Sequence, residues 1–198
     1  MVTRITMVRH GTTAWMEQGI THGRLDSHLS PKGFRQVYTT VSALRGKTFD
    51  AFYSSPAGRA VQTANILAKV VGNPPEILPD LMERDFGMLE GKTTAFLPSP
   101  VLAVFMLIGW VFPITLGGEP MRDVSRRAEK VLNLMAARHA GGSVILVSHS
   151  GLINMILKNI SGRRRLFYVI PPASITEIEL NDDGTGTILT PLKPFFQR

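Results

Sequence analysis

Hydrophobic and polar residues alternate along the chain in two kinds of segment. Short apolar runs typical of buried strands are separated by longer stretches in which apolar residues recur at helical spacing. The strand-like runs cover residues 5–8, 51–53 and 143–147, and the helical stretches cover residues 31–45, 57–71, 121–139 and 152–160. Strands that alternate with helices form a parallel or mostly parallel sheet with helices on both faces. The pattern therefore predicts an α/β fold built as a three-layer sandwich.

Turn and capping residues support these boundaries. Ser30 followed by Pro31 is a typical helix start, and Gly72 with the prolines after Asn73 ends the stretch 57–71. Two further strand-like runs, residues 174–180 and 185–192, flank an Asn-Asp-Asp-Gly turn, which predicts a hairpin. The chain contains no internal repeat and no low-complexity linker, so we expect one domain over residues 1–198.

The composition narrows the classes of protein. A chain of 198 residues with 44% hydrophobic residues can bury a core without disulfides or a structural metal. It contains no cysteine, which excludes disulfide frameworks, cysteine-ligated metal sites and thiol nucleophiles. A formal net charge of +7 favours polyanions, anionic membrane surfaces or phosphorylated small molecules as partners. The arginines are scattered along the sequence, and no basic stripe with interleaved aromatic residues is visible. We therefore expect no nucleic-acid partner.

One long stretch carries no charge. Residues 93–118 lack Asp, Glu, Lys and Arg, and three prolines and a glycine interrupt their apolar run, which does not fit a membrane-spanning helix. We expect an apolar helical insertion at about residues 93–118. Two interpretations stay open. The insertion is either an ordinary core helix or a lid, a substrate wall or an element that contacts a membrane surface or a second copy of the chain.

The amino-terminal residues do not resemble a signal peptide, because no basic region followed by a long apolar stretch begins the chain. The candidate catalytic residues also begin directly after the first strand, at Arg9 and His10, so cleavage of a leader would remove them. We therefore expect a cytoplasmic location, with membrane association through the apolar insertion as an addition.

Two histidines follow predicted strands. His10 comes directly after the first strand with Arg9 beside it, and His149 follows the strand 143–147 and opens a helix. Ligand crevices in α/β sheets form at the carboxyl ends of strands, and helix N-termini favour anions. A neutral histidine is an adequate nucleophile toward phosphorus, and an arginine can hold phosphate oxygens. Alone, an Arg-His-Gly triplet also fits a surface turn, but two histidines at equivalent edges can converge on one site.

A third strand end adds another cation. Arg59 lies in the first turn of the helix that follows the strand 51–53, which provides a second guanidinium for a phosphate. Expelling an alcohol from a phosphate monoester also needs a group that protonates the leaving oxygen. Glu83 is our candidate for that proton donor. The sequence contains neither a His-Glu-x-x-His motif nor a carboxylate cluster, so it does not indicate a metal site.

The order of these motifs resembles the histidine phosphatase superfamily, also called the phosphoglycerate mutase-like family. The motifs are Arg-His-Gly-Thr from Arg9, Ser-Ser-Pro-x-x-Arg-Ala-x-Gln-Thr-Ala around Arg59, Glu-x-x-x-Gly-x-x-Glu-Gly from Glu83, Gly-Gly-Glu at 117–119 and Ser-His-x-Gly around His149. Five motifs in this order are highly specific together, and they span the chain from Arg9 to about Gly151.

The resemblance implies a covalent mechanism without a metal or another cofactor. His10 would attack phosphorus and become phosphohistidine, while Glu83 protonates the leaving alkoxide and later acts as the base toward water. Arg9, Arg59 and His149 would bind the phosphate together with His10 and stabilise charge on its oxygens. We expect His149 to be protonated when it does so, since the phosphate favours that form.

Several positions depart from the family pattern. Met16 stands where members commonly carry an asparagine that contacts the phosphate, so we expect one phosphate contact to be missing. His22 replaces a common glutamine or threonine, and we take it with the adjacent Gly23 as candidate substrate-binding residues, although a structural histidine fits equally. Pro120 replaces the usual serine after Gly-Gly-Glu.

The insertion separates the candidate functions. Glycolytic mutases of the family carry polar, arginine-bearing insertions, whereas residues 96–116 are apolar and would hold a small, multiply charged phosphoglycerate poorly. We therefore expect a phosphatase for a phosphorylated small molecule with a hydrophobic portion. A phosphoglycerate mutase-type phosphotransferase is the alternative enzyme. A non-catalytic phospholigand-binding or membrane-docking protein is the alternative from another class.

Overall fold

A six-stranded sheet forms the middle layer of the protein. The computed structural model describes residues 1–93, 117–162 and 167–193. The strands are β1 (Val2–Arg9), β2 (Ala51–Ser54), β3 (Glu76–Ile77), β4 (Ser143–Ser148), β5 (Ile175–Asn181) and β6 (Gly186–Ile188). The helices are α1 (Ala14–Glu17), α2 (Pro31–Leu44), α3 (Gly58–Val71), α4 (Met121–Arg138) and α5 (Ser150–Ser161), with 3-10 turns at Pro79–Leu81 and Gly87–Leu89.

The sheet is mostly parallel, as the sequence predicts. Its order is β3-β2-β4-β1-β5-β6, with β3, β2, β4 and β1 parallel and the hairpin β5–β6 antiparallel at one side. Arg9 at the end of β1 lies opposite Ser148 at the end of β4, and Ser54 at the end of β2 lies opposite Val147. Three strands therefore end at nearly the same level of the sheet.

Helices cover both faces, which confirms the three-layer arrangement. Met7 and Leu146 belong to a core shared with α4 and α5, whereas their neighbours Val8 and Val147 belong to a second core with α2 and α3. This alternation follows from the two-residue period of a strand, which points successive side chains to opposite faces.

The helix boundaries agree closely with the sequence signals. The Ser30 hydroxyl accepts a hydrogen bond from the Gly33 backbone N–H at the start of α2 (3.2 Å). Gly72 ends α3 in a left-handed conformation with φ of 86°, which a glycine adopts without strain. The hydrophobic pattern does not predict α1 and β3, which are only four and two residues long.

One predicted strand is too long. We expected residues 185–192, but β6 covers only Gly186–Ile188. The backbone N–H groups of Leu189 and Thr190 both donate to the carbonyl oxygen of Glu177 in β5 (2.9 and 3.4 Å). Because these two residues lie opposite a single residue of β5, the regular hydrogen bonding between β5 and β6 ends there.

The predicted apolar insertion lies largely outside the described residues, since residues 94–116 are not among them. Its role, and the single domain over residues 1–198, stay predictions, as does a contact of the insertion with a membrane surface or a second copy. Within the described ranges, no helix is long and apolar enough to cross a bilayer.

The packing predicts a clear contrast between two leucines. Leu146 in β4 is 1% exposed, and Leu146→Ala should lower the free energy of unfolding by about 2–5 kcal/mol, because it removes buried methyl groups and leaves a cavity. Leu189→Ala is the matched control, since Leu189 is 46% exposed and should change stability by less than about 0.5 kcal/mol. Urea unfolding followed by circular dichroism measures both values. Equal losses in the two variants would contradict the assigned core.

Candidate active site

The predicted site forms where β1, β2 and β4 end. The His10 backbone N–H donates to the Ser148 carbonyl (3.0 Å), and the Ser55 backbone N–H donates to the Val147 carbonyl (2.9 Å). These bonds extend the strand pairing one residue beyond β1 and β2. They fix the backbone of His10 and Ser55 relative to the end of β4, where His149 follows.

The His10 ring is held in one tautomer. It is 4% exposed, and its Nδ1 lies 2.8 Å from the Gly11 carbonyl oxygen. A carbonyl oxygen only accepts, so Nδ1 carries the hydrogen and Nε2 of the neutral ring keeps its lone pair. Burial and the nearby Arg9 and Arg59 guanidinium groups hold the His10 pKa well below its usual value. The neutral ring therefore offers Nε2 as a nucleophile.

The second histidine packs beside the first. The His149 ring is fully buried, with its centroid 5.1 Å from that of His10. Its Nε2 lies 2.8 Å from the Ser55 hydroxyl, whose oxygen also accepts a hydrogen bond from the Ala57 backbone N–H (3.3 Å). The Ser55 hydroxyl also lies 3.6 Å from Met82 Sδ; when it donates to His149 Nε2 instead, the hydrogen of the neutral His149 ring lies on Nδ1. Nδ1 is buried and has no hydrogen-bond partner within the described part of the chain.

The charged form of His149 is expected only with a phosphate bound, and the protein surroundings by themselves favour the neutral ring. Burial, followed by the positive charge of Arg59 and the neighbouring His10, holds the His149 pKa well below its usual value. A neutral ring with hydrogen on Nδ1 can still donate one hydrogen bond to an anion. A phosphate placed there would raise the His149 pKa again.

The two arginines are each held by backbone carbonyls. Arg59 is 1% exposed, and its Nη1 donates to the Leu25 carbonyl and to Asp26 Oδ1 (both 2.9 Å). Arg9 Nη1 donates to the Ile170 carbonyl (2.6 Å). The Nε atoms of both arginines are buried, and neither has a partner among the described residues. Together with His149 Nδ1, three buried nitrogen atoms thus lack a partner in the part of the chain that the structure describes, which is the pattern of a site that takes an anion.

Glu83 reaches the same edge from a different segment. It is 7% exposed, and its Oε1 accepts from the Arg84 backbone N–H (2.9 Å), while Oε2 accepts from the Gly151 backbone N–H (3.2 Å). Gly151 lies in the first turn of α5, two residues after His149. A Cβ on Gly151 would collide with Glu83 Oε1, so the glycine leaves room for the carboxylate.

The fold thus brings the five predicted site residues together. Burial lowers the pKa of Arg9 below its ordinary value, the Glu83 carboxylate partly opposes this, and the charge of Arg59 lowers the pKa further. The charges of Arg9 and Arg59 act on both histidines. Arg9, His10, Arg59, Glu83 and His149 therefore share one site.

The two candidate substrate-binding residues have different surroundings. His22 Nε2 lies 2.8 Å from the Thr13 hydroxyl oxygen, and burial followed by the charge of Arg59 lowers the His22 pKa to about 4. Gly23 accepts a hydrogen bond from Arg59 Nη2 through its carbonyl (2.8 Å). Gly23 therefore contacts the arginine, and substrate contact by His22 or Gly23 stays a prediction.

Sequence reasoning missed the residues that support this site. The Glu90 carboxylate accepts backbone N–H bonds from Arg24 (2.8 Å), Leu25 (3.0 Å) and Phe86 (2.9 Å). It thereby holds the loop whose carbonyls bind Arg59. The Glu-Gly pair of the third motif carried this signal, but only the folded chain shows its partner. Ser55 is a similar case, because its contact with His149 depends on strand pairing.

Within the described ranges, no group of three or more His, Asp or Glu side chains is placed to hold a metal ion.

Comparison with known proteins identifies the family. Residues 5–190 match the model of the histidine phosphatase superfamily, branch 1. A metal-independent phosphoserine phosphatase of Arabidopsis thaliana is 33% identical over 165 residues, which cover 81% of this chain and 69% of that relative. A protein of Hydrogenobacter thermophilus, named as a candidate phosphoserine phosphatase, is 29% identical over 193 residues and 93% of each chain.

A solved structure agrees with this result. The crystal structure of phosphoglycerate mutase from Bacillus anthracis str. Sterne matches with a TM-score of 0.77 and 27% identity, over 94% of this chain and 91% of that one. The chain therefore belongs to the histidine phosphatase superfamily and is an enzyme with a phosphoglycerate mutase-like fold.

The lowered histidine pKa values predict a loss of stability in acid. An unfolded histidine titrates near 6.5, whereas folded His10, His22 and His149 titrate lower. Below pH 6.5 the unfolded state thus binds more protons than the folded state, so the free energy of unfolding falls as the pH falls. Urea midpoints measured at intervals between pH 8 and pH 5 should decrease below about pH 6.5.

His22→Asn provides the control for this effect. Asparagine retains a hydrogen-bonding group near Thr13 but does not titrate, so the variant should lose less stability than the native chain as the pH falls from 6.5 toward the lowered His22 pKa of about 4, a difference already measurable at about pH 5. The same slope in both proteins would show that the His22 pKa is not lowered by folding.

Proposed function

We propose that this enzyme hydrolyses phosphomonoesters through a phosphohistidine formed on His10. One observation supports the proposal above all others. The Nδ1 hydrogen of His10 is bound to the Gly11 carbonyl, which leaves the lone pair of Nε2 free to attack. The same site contains Arg9 Nε, Arg59 Nε and His149 Nδ1, which are buried and lack a partner within the described ranges. A phosphoryl group next to Nε2 would satisfy those nitrogens and place phosphorus within reach of the nucleophile.

The first half of the reaction transfers the phosphoryl group. His10 Nε2 attacks phosphorus in line, and the bond from phosphorus to the ester oxygen breaks with its electron pair leaving on that oxygen. The Glu83 carboxyl donates its proton to the leaving oxygen, which departs as an alcohol. The ring becomes cationic, and its Nδ1 hydrogen remains bound to the Gly11 carbonyl.

The second half consumes water. The Glu83 carboxylate removes a proton from a water molecule, whose oxygen attacks phosphorus while the bond to Nε2 breaks. Inorganic phosphate leaves, His10 is neutral again, and Glu83 is again protonated. Arg9, Arg59 and His149 stabilise charge on the phosphoryl oxygens in both halves, because their donors are already fixed before the reaction.

The mutase alternative uses the same first half. The phosphohistidine would then pass its phosphoryl group to a second acceptor instead of water. The similarity to the Bacillus anthracis phosphoglycerate mutase supports this alternative. A binding protein without catalysis is less consistent with the chain, because all five residues of the reaction are present and buried or nearly so.

We further propose that the substrate has a hydrophobic portion. The apolar stretch of residues 93–118 supports this, as do two exposed apolar side chains on the segments that carry the site. Leu25, whose carbonyl binds Arg59, is 47% exposed, and Met88, between Glu83 and Glu90, is 72% exposed. Phosphoserine is the competing substrate, because two relatives are named for it.

The covalent intermediate predicts the behaviour of His10→Ala. With p-nitrophenyl phosphate as substrate and EDTA present, the variant should lose more than about 10⁴-fold in kcat/KM, since it lacks the nucleophile. The native chain mixed briefly with ³²P-labelled substrate should retain label that acid releases and base does not. A native chain that is inactive here but active in a coupled mutase assay would favour the alternative enzyme.

The substrate proposal predicts an order of kcat/KM values. Octyl phosphate should be hydrolysed with a higher kcat/KM than phosphoserine or 3-phosphoglycerate, because apolar side chains stabilise its chain and offer no partner for a carboxylate. Steady-state release of inorganic phosphate from the three compounds measures this order. A clear preference for phosphoserine or 3-phosphoglycerate would overturn it.

A further inference from the structure

Arg127 and Glu119 form an ion pair near the site that the reaction above does not use. Arg127 Nε donates to Glu119 Oε1 (2.9 Å) and Nη2 donates to Oε2 (2.7 Å), so two parallel hydrogen bonds join the side chains. The two side chains are only 13% and 10% exposed. Removing a pair from water to this extent is costly unless further hydrogen bonds satisfy it.

Those further bonds all go to the segment that contains Glu83. Arg127 Nη1 donates to the carbonyl oxygens of Asp80 (2.9 Å) and Met82 (2.6 Å), and Nη2 lies 3.4 Å from the Glu83 carbonyl oxygen. With the two bonds to Glu119, every N–H of the guanidinium has a partner. A lysine has three donors on one atom and cannot reproduce this pattern.

Glu119 holds the other side of Glu83. Its backbone N–H donates to the Asp85 carbonyl (2.9 Å), and its own carbonyl accepts from Arg84 Nε (2.9 Å). The preceding Gly118 permits this approach, because a Cβ there would lie 2.6 Å from the Asp85 carbonyl oxygen. Arg127 therefore binds the backbone up to Glu83, and the Glu119 carboxylate contacts the backbone after Glu83, because its Oε2 accepts from the Asp85 backbone N–H (3.4 Å).

We propose that Arg127 and Glu119 are positioning residues, which hold the Glu83 carboxyl where it can transfer a proton to and from the reacting oxygen. The inference rests on the proposed function, since it assigns a role within that reaction. Neither residue needs to touch the substrate. A misplaced general acid slows phosphoryl transfer most when the leaving group is a strong base, because such a group departs only after it is protonated to the neutral alcohol.

The test compares two leaving groups. Nitrophenolate leaves from p-nitrophenyl phosphate without protonation, whereas an alkoxide leaves from octyl phosphate only with a proton. Arg127→Lys keeps the positive charge but not the hydrogen bonds, so kcat/KM for octyl phosphate should fall by about 10²-fold, a general-acid effect, and for p-nitrophenyl phosphate by less than about fivefold. Glu83→Gln should show the same pattern with a larger loss.

Two further variants make the result specific. Glu119→Gln has nearly the same shape and weakens the ion pair, so it should give the same leaving-group pattern if Arg127→Lys fails to fold. Arg126→Met is the matched control from α4, because the Arg126 side chain is 70% exposed and pairs with Asp123 at the surface (3.0 Å). It should retain native activity on both substrates. The inhibition constant of inorganic phosphate should be unchanged in Arg127→Lys, Glu119→Gln and Arg126→Met, since none of these substitutions changes a proposed phosphate-binding residue.

The outcomes distinguish the two proposals. A native chain that hydrolyses neither compound would overturn the proposed function and this inference with it. Native hydrolysis that His10→Ala abolishes, combined with equal losses on both substrates or no loss in Arg127→Lys and Glu119→Gln, would overturn the positioning role alone. A loss restricted to the alkyl phosphate would establish it.

Discussion

The parallel pairing of β1 with β4 is the constraint on which the site depends. Because Arg9 lies opposite Ser148, the residues that follow, His10 and His149, leave the sheet side by side with ring centroids 5.1 Å apart. A shift of one residue in this register would turn the strand side chains to the other face and separate the histidines. The two cores on either face of the sheet hold that register, since each strand buries alternate residues against different helices.

Burial of positive charge is the second feature that shapes the chemistry. Two guanidinium groups lie beside two histidines at a site with little solvent, and their charges together with burial keep both rings neutral. The same surroundings favour an anion, because it would complete the hydrogen bonding of Arg9, Arg59 and His149. The neutral ring of His10, the proposed nucleophile, and the electropositive surroundings thus arise from one arrangement.

Three glutamates make the contacts that organise the site and the loops around it. Glu83 faces the N-terminus of α5 at Gly151, whereas Glu90 binds backbone N–H groups of the loop that holds Arg59, and Glu119 pairs with Arg127. Glycines occur where these carboxylates or their loops approach closely, as at Gly151 and Gly118. The segment of residues 78–93 is therefore held by side-chain contacts in addition to its two 3-10 turns.

Local pattern was sufficient to predict the α/β class and most helix boundaries, and it singled out five candidate site residues that the fold brings together, because periodicity, caps and strand-end motifs are encoded by neighbouring residues. It missed the short α1 and β3, and it extended β6 beyond Ile188, because those ends depend on contacts with distant backbone. The neutral state of His149, its contact with Ser55 and the ion pair of Arg127 with Glu119 were decided by tertiary structure. Each depends on burial or on groups far apart in the chain, and neither quantity can be read from local sequence.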